Sequence, residues 1–241
     1  TMGELVKEWE PYDRLCSAHG YADWNYDNQE WADFIITQQY GTPQEVNAWA
    51  LKYRDIPMPY INEEYGYEGD LDEPGHGQNA DWIRKCHWAI AMAGGYATYG
   101  DWSKAAFYSG HIGEGTGPTY LKRLYDEFQK IPYHEMEPRN DLVTEGCFCL
   151  AKPGEVYMVY VPDGREANLE VEYEGLLVGY YNRYFDPCGD QSMDAAIHVS
   201  PGAEAVENAA QTKHETFALS SGNKPLDWRR ERVVIFRLSI D

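Results

Sequence analysis

The residues best suited to chemistry lie where a short apolar run ends. The segment 56–69 begins with apolar residues and stops in a cluster of carboxylates, tyrosines and glycines that includes Glu63 and Glu64. A buried parallel strand has this pattern, and barrel enzymes place their reacting groups at the carboxyl ends of strands. A glutamate there suits sugar chemistry, because a carboxylate can meet the positive charge that develops at a sugar carbon. Aromatic faces beside it can hold the ring.

Short apolar runs alternate with helical patterns up to about residue 140. Strands are expected at 14–19, 34–39, 58–62 and 96–99, and helices at 4–12, 42–54, 79–93 and 117–130. Thr42 and Pro43 form a helix start, and Gly94 with Gly95 forms a helix stop. Strands that alternate with helices imply βαβ units and a parallel sheet.

The pattern changes from about Asn140. Seven short runs rich in Val, Tyr and Leu follow, and Gly, Pro and Asp separate them. This is typical of an antiparallel sandwich of roughly 90–100 residues. The sequence therefore predicts two domains, 1–140 and 141–241.

The composition excludes several classes of partner. The formal charge is −20, so nucleic acid and anionic membrane surfaces are poor partners. The charge fits the solubility of a secreted protein, although no signal peptide or apolar membrane span is visible. His76 and His87 lack zinc-ligand spacing, and the acidic loop 70–76 is expected to be a solvated lid rather than a calcium site. No metal and no cofactor are predicted.

The length of the first region leaves two architectures open. A complete eight-stranded barrel needs roughly 250 residues, whereas residues 1–140 supply about four strand–helix units. Half a barrel would leave unpaired sheet edges and an open core. Either this is a smaller α/β fold, or the first half of a barrel lies outside this chain.

A family resemblance favours the second architecture. Residues 59–69 resemble the seventh-strand motif of the apiosidase-like glycoside hydrolases, in which a "K-P-V-L-x-x-E-x-x-Y-E" pattern carries the catalytic glutamate. The C-terminal region is similar to the sandwich appended to those barrels, a module often labelled collagen-binding. Further similarities to the family are found at Arg84, Trp88, Gly94-Gly95, Tyr99-Gly100, Phe185-Asp186-Pro187 and Leu226-Asp227-Trp228.

The resemblance implies a fold and a catalytic residue. The fold would be α/β plus all-β: the C-terminal half of a (β/α)8 barrel, roughly strands five to eight, followed by an antiparallel β-sandwich. Glu64 would be the nucleophile of a retaining hydrolase, with Glu63 as the less favoured alternative. The family's general acid ends strand four, upstream of Thr1. A separate N-terminal half-barrel polypeptide is therefore an expected partner.

Six further residues are predicted to bind substrate. His19 and Gln38 would end the fifth and sixth strands and face the pocket. Tyr65 and Tyr67 could stack on sugar or hold the nucleophile, and an ordinary place in the core is the alternative for each. Glu68 could bind a hydroxyl or orient Arg84, and Trp102 could form a platform. The set is His19, Gln38, Tyr65, Tyr67, Glu68 and Trp102.

The predicted function is hydrolysis of an O-glycosidic bond in a plant or microbial polysaccharide. The protein would be secreted or periplasmic. A non-catalytic carbohydrate-binding or structural module is the alternative, because the resemblance places the expected general acid outside this chain.

Overall fold

A computed structural model describes residues 1–20, 26–69, 77–102, 115–164, 166–174, 177–188, 192–198, 213–219 and 231–240. It forms two compact units, Thr1–Leu121 and Lys122–Asp241. The division falls inside the helix Gly117–Phe128, upstream of the boundary that the sequence predicts at 140/141. The predicted acidic lid, 70–76, lies outside the described residues.

A parallel sheet of three short strands organises the first unit. Its strands are β1 (Ile35–Thr37), β2 (Tyr60–Asn62) and β5 (Tyr96–Ala97), in the order β1-β2-β5 with β2 in the centre. Both strand pairs are parallel, as the strand–helix alternation predicts. Among the described residues, the helices of this unit are α1 (Met2–Trp9), α2 (Pro43–Lys52), α3 (Ala80–Met92) and α4 (Gly117–Phe128), the last of which extends into the second unit.

Local sequence explains where the helices begin and end. Thr42 caps α2 in a reciprocal capping box with Glu45, and proline occupies the first turn. Asn79 caps α3, and its side chain accepts a hydrogen bond from the Trp82 amide. Gly94, at φ 76°, then takes the left-handed conformation that ends α3. The predicted helices at 42–54 and 79–93 are thus confirmed to within two residues.

A second, smaller parallel sheet was missed by the sequence analysis. It consists of β3 (Tyr67–Glu68), β4 (Gly77–Gln78) and β6 (Gly100–Asp101), in the order β4-β3-β6. Each strand has only two residues, which is too short to give a periodic pattern. This sheet directly follows β2 and β5 along the chain, so it extends the edge where the candidate site lies.

The predicted strand at 14–19 is wrong, because no regular strand occurs there. The Cys16 amide instead donates to the Asp33 side chain, at Oδ2, over 2.6 Å, and the Ser17 hydroxyl donates to the Phe34 backbone carbonyl. The Gly20 carbonyl nevertheless accepts a hydrogen bond from the Gln38 amide at 3.2 Å. The segment therefore runs beside β1 and brings His19 to the same edge.

Antiparallel strands make up most of the second unit. Its described strands are β7 (Glu137–Pro138), β8 (Phe148–Lys152), β9 (Val156–Val161), β10 (Asn168–Tyr173), β11 (Leu177–Phe185), β12 (Ser192–His198), β13 (Lys213–Ala218) and β14 (Arg232–Ile240). One six-stranded sheet has the order β12-β11-β14-β9-β8-β7, and β10 pairs with β13 in a second sheet. Two 3-10 turns, Tyr133–Glu135 and Asn140–Leu142, flank β7.

One apolar cluster joins the two sheets of this unit. It contains Val159 from β9 and Phe236 from β14, together with Leu169 and Val171 from β10. All four side chains are fully buried. Apolar residues on two facing sheets bury each other in this way in antiparallel layered folds. The seven predicted runs correspond to β8–β14, and their ends differ from the strand ends by three residues at most.

None of the described helices is long and apolar enough to cross a membrane.

Candidate functional site

Glu64 lies just beyond the carboxyl end of the central parallel strand. Strand β2 ends at Asn62, and the Glu63 amide still donates to the Thr37 carbonyl of β1 at 3.0 Å. The side chain of Glu64 is 22% exposed. The carboxylate is therefore fixed to the sheet and remains reachable from solvent.

Three donors hold the Glu64 carboxylate. The Gln38 side-chain amide donates to Oε2, and the Tyr67 hydroxyl donates to Oε1. The Tyr40 hydroxyl also donates to Oε1, at 2.9 Å. The structure thus brings together Glu64 and two residues predicted for the site, Gln38 and Tyr67. Three directed hydrogen bonds restrict the rotation of a carboxylate strongly.

The two tyrosines keep their protons. Burial and the adjacent Glu64 carboxylate raise the pKa of the Tyr40 hydroxyl well above its ordinary value of 10. The same two causes raise the pKa of the Tyr67 hydroxyl. Each hydroxyl is therefore a donor, and the carboxylate between them is an acceptor.

His19 lies between the two neighbouring glutamates. Its Nδ1 is 2.9 Å from Glu63 Oε2, and its Nε2 is 3.6 Å from Glu64 Oε2. Strand β2 ends at Asn62, so the alternation of side chains along a strand does not separate Glu63 from Glu64. Both carboxylates approach the same imidazole.

A sharp turn carries the chain from Glu64 to Tyr67. Gly66 has a φ of 149°, and a Cβ there would lie 2.6 Å from the Trp82 ring. Glycine meets both demands because it lacks a Cβ. The turn returns the Tyr67 hydroxyl to Glu64, three residues earlier in the chain.

Tyr65 points into the core rather than into the site. It is fully buried, it stacks on Trp82, and its hydroxyl is 2.9 Å from His87 Nδ1. Burial lowers the pKa of His87 to about 4. The structure therefore gives Tyr65 a role in anchoring the turn that carries Glu64.

Glu68 is also buried, and its carboxylate contacts Tyr99 and the residues at the start of α4. Its carboxylate accepts hydrogen bonds from the Thr116 amide at 2.8 Å, the Gly117 amide at 2.7 Å and the Tyr99 hydroxyl at 2.7 Å. Gly117 begins α4, where unpaired amides and the helix dipole favour an anion. The side chain is only 7% exposed, so these contacts give Glu68 a place in the scaffold of the site.

Trp102 supports Tyr67 from the side. The two rings meet edge to face, with their centroids 5.7 Å apart, and the Trp102 amide donates to the Glu68 carbonyl at 2.7 Å. A Cβ on Gly100 would lie 2.6 Å from the Tyr67 ring. Trp102 is half-buried.

Tyr40 is the contact of Glu64 that the sequence analysis missed. It stands two residues after Gln38, and residues two apart share a face of an extended chain. The two-residue spacing from Gln38 is therefore a sequence signal that Tyr40 lies on the same face as Gln38, towards Glu64. Among the described residues, no group of three or more His, Cys, Asp and Glu side chains is arranged to hold a metal ion.

Comparison with solved structures identifies the class of fold. The chain is similar to a protein described as a glycoside hydrolase, with a TM-score of 0.68 and 16% identity over 98% of this chain and 60% of that one. It is similar to a glycoside hydrolase family 5 protein from Bacteroides vulgatus, with a TM-score of 0.67 and 15% identity over 98% of this chain and 57% of that one. It is also similar to a candidate glycoside hydrolase from the same bacterium, with a TM-score of 0.70 and 16% identity over 99% of this chain and 48% of that one.

These similarities show a mixed α/β fold of the kind found in glycoside hydrolases. The chain spans about half to three fifths of the length of these solved structures. No protein-family model matches the sequence. No curated protein matches it either.

Proposed function

We propose that this chain is part of a retaining glycoside hydrolase and that Glu64 is its nucleophile. The observation that carries the proposal is the cage of donors around the Glu64 carboxylate at the end of a parallel strand. A nucleophilic carboxylate must be both oriented and reachable, and a side chain that accepts three hydrogen bonds at 22% exposure meets both needs. The similarity of the fold to glycoside hydrolases supports the same class of reaction.

The hydrogen bonds distinguish the two oxygens of Glu64. Oε1 accepts from two tyrosines, whereas Oε2 accepts from the Gln38 amide. A carboxylate oxygen has about two acceptor directions, so Oε2 keeps the capacity to attack. In the proposed reaction a bond forms between Oε2 and the anomeric carbon as the bond to the leaving oxygen breaks. A general acid protonates that oxygen, and water then hydrolyses the glycosyl–enzyme ester.

The proposed architecture is half of a (β/α)8 barrel followed by an antiparallel β-sandwich. The general acid would come from an N-terminal half-barrel polypeptide. The greater length of the matched structures is consistent with such a partner. The substrate would be an oligo- or polysaccharide, encountered outside the cell or in the periplasm. The high negative charge suits a neutral substrate better than an anionic one.

Glu64→Gln tests the proposal directly. The assay is release of dinitrophenolate from a panel of 2,4-dinitrophenyl glycosides, because this leaving group needs little help from a general acid. We expect kcat to fall by about 10³-fold or more, since glutamine keeps the shape but not the nucleophilic charge. The matched control is Glu8→Gln on exposed helix α1, which should keep the wild-type rate.

An unchanged rate in Glu64→Gln would remove Glu64 from the mechanism. A wild-type chain that binds sugars but turns over no activated glycoside, even in the presence of the N-terminal half-barrel polypeptide, would indicate a carbohydrate-binding module instead.

A further inference from the structure

His19 is held by a carboxylate on the side away from the candidate nucleophile. Its Nδ1 lies 2.9 Å from Glu63 Oε2, a buried oxygen that accepts no hydrogen bond of good geometry from the described residues. A buried carboxylate oxygen at this distance is best satisfied by a proton on Nδ1. The contact thus favours the imidazole form that carries its proton on Nδ1.

The other ring nitrogen then presents a lone pair. Nε2 is 3.6 Å from Glu64 Oε2, which is too far for a hydrogen bond. Two acceptors at this separation can both approach one ligand atom. The imidazole is 43% exposed, and the ionisable groups in contact with it, among the residues that the structure describes, are Glu63 and Glu64. Nε2 is therefore an accessible acceptor beside the nucleophile.

The position of His19 Nε2 relative to Glu64 determines which substrate group can donate a hydrogen bond to it. The oxygen proposed to attack is Oε2, which is the oxygen nearest to Nε2. A hydroxyl on the ring carbon next to the anomeric carbon would lie close to both atoms. Such a hydroxyl can donate its proton to Nε2 and leave Oε2 to form the new bond.

We propose that His19 is a specificity-determining residue that accepts a hydrogen bond from the sugar 2-hydroxyl, and that Glu63 is the positioning residue that fixes its tautomer. This inference rests on the proposed function and narrows it: the substrate is a sugar with an unmodified 2-hydroxyl. A 2-deoxy sugar lacks the donor and leaves Nε2 unsatisfied. A 2-acetamido sugar places a bulky group against the imidazole.

The kinetic test compares 2,4-dinitrophenyl glycosides with their 2-deoxy counterparts. His19→Phe keeps a planar ring but removes the acceptor. We expect its kcat/KM to fall about tenfold or more further for the 2-hydroxy substrate than for the 2-deoxy substrate, as the loss of one hydrogen bond to a well-placed acceptor predicts. His134→Phe, an exposed position in the other unit, is the matched control and should leave the ratio unchanged. Equal losses on both substrates in His19→Phe would overturn the assignment.

The tautomer gives a readout that does not depend on turnover. In long-range ¹H–¹⁵N spectra of the neutral imidazole, we expect a protonated Nδ1 and a bare Nε2. Glu63→Leu should shift the ring towards the other tautomer, whereas Glu63→Gln keeps an acceptor oxygen and should shift it less. A wild-type ring protonated on Nε2 would refute the role of Glu63.

The two proposals fail in different ways. Turnover that survives in Glu64→Gln would defeat the proposed function. Turnover that is lost in Glu64→Gln, with unchanged 2-hydroxyl discrimination in His19→Phe, would defeat only this inference. Where no glycoside is turned over, D-glucose and D-galactose should still perturb the His19 Nε2 resonance more than their 2-deoxy forms, and equal perturbation would count against the contact.

Discussion

Acidification should destabilise this protein through His87, which lies under the turn that carries Glu64. Its Nδ1 is 2.9 Å from the Tyr65 hydroxyl, and burial lowers the pKa of the imidazole from 6.5 to about 4. As the pH falls below about 6.5, the His87 imidazole becomes protonated in the unfolded chain but stays neutral in the native protein. The unfolded state then binds more protons, so the free energy of unfolding falls with pH until the native group also titrates.

The size of the effect follows from the shift. A difference from 6.5 to about 4 corresponds to about 3 kcal/mol when fully developed. Between about pH 7.5 and about pH 5 the expected loss is about 2 kcal/mol. Carboxylates also titrate at the acid end, so the quantity to measure is the difference from a variant that lacks the imidazole.

Urea unfolding followed by circular dichroism measures this difference. His87→Gln cannot take up the proton, and its amide can still pair with the Tyr65 hydroxyl. We expect the variant to be less stable near neutral pH and to lose about 2 kcal/mol less than the wild type on acidification. NMR should show a neutral His87 ring in the native state at pH 5. Parallel stability curves for wild type and variant would refute the reasoning.

Three other changes probe the frame of the site. Tyr40→Phe removes one of the two tyrosine donors on Glu64 Oε1. The kcat on activated glycosides should therefore fall about 10- to 100-fold with little change in KM. An unaltered kcat would show that the hydrogen bond at 2.9 Å does not orient the nucleophile. Glu68→Gln removes the anion at the start of α4 and should lower the free energy of unfolding by about 1–3 kcal/mol in urea, whereas Glu8→Gln on exposed α1 should change it by less than about 0.5 kcal/mol. Gly66→Ala places a Cβ 2.6 Å from the Trp82 ring at a backbone φ of 149°. Thermal melts should therefore show that the free energy of unfolding falls by about 1–3 kcal/mol. A variant as stable as the wild type would contradict the strain expected in this turn.

The elements of the chain could be predicted because their signals are local. The capping box at Thr42, the asparagine before α3 and the glycines after it depend on a few neighbouring residues, and these helices lie where the sequence places them. The strands of the second unit were equally readable, because apolar runs between turn residues mark them one at a time. Parallel pairing in the first unit followed from the alternation of strands and helices.

Other features depended on contacts between distant parts of the chain. The small sheet β4-β3-β6 has two-residue strands that carry no period of their own, and its pairs join segments ten to 33 residues apart. Residues 14–19 are predicted to form a strand, yet the Cys16 amide bonds to the Asp33 side chain and the Ser17 hydroxyl bonds to the Phe34 backbone carbonyl, which is not the pairing of a regular strand.

The candidate site divides in the same way. The sequence by itself determined that a glutamate follows a buried strand and that Gln38, His19 and Tyr67 are available near it. Only the tertiary structure decided that Tyr65 and Glu68 serve the scaffold, that Tyr40 joins Glu64, and that Glu63 holds His19 from the far side. The physical reason is that the direction of a side chain after a strand ends is set by the turn and its neighbours, and these are brought together only by folding.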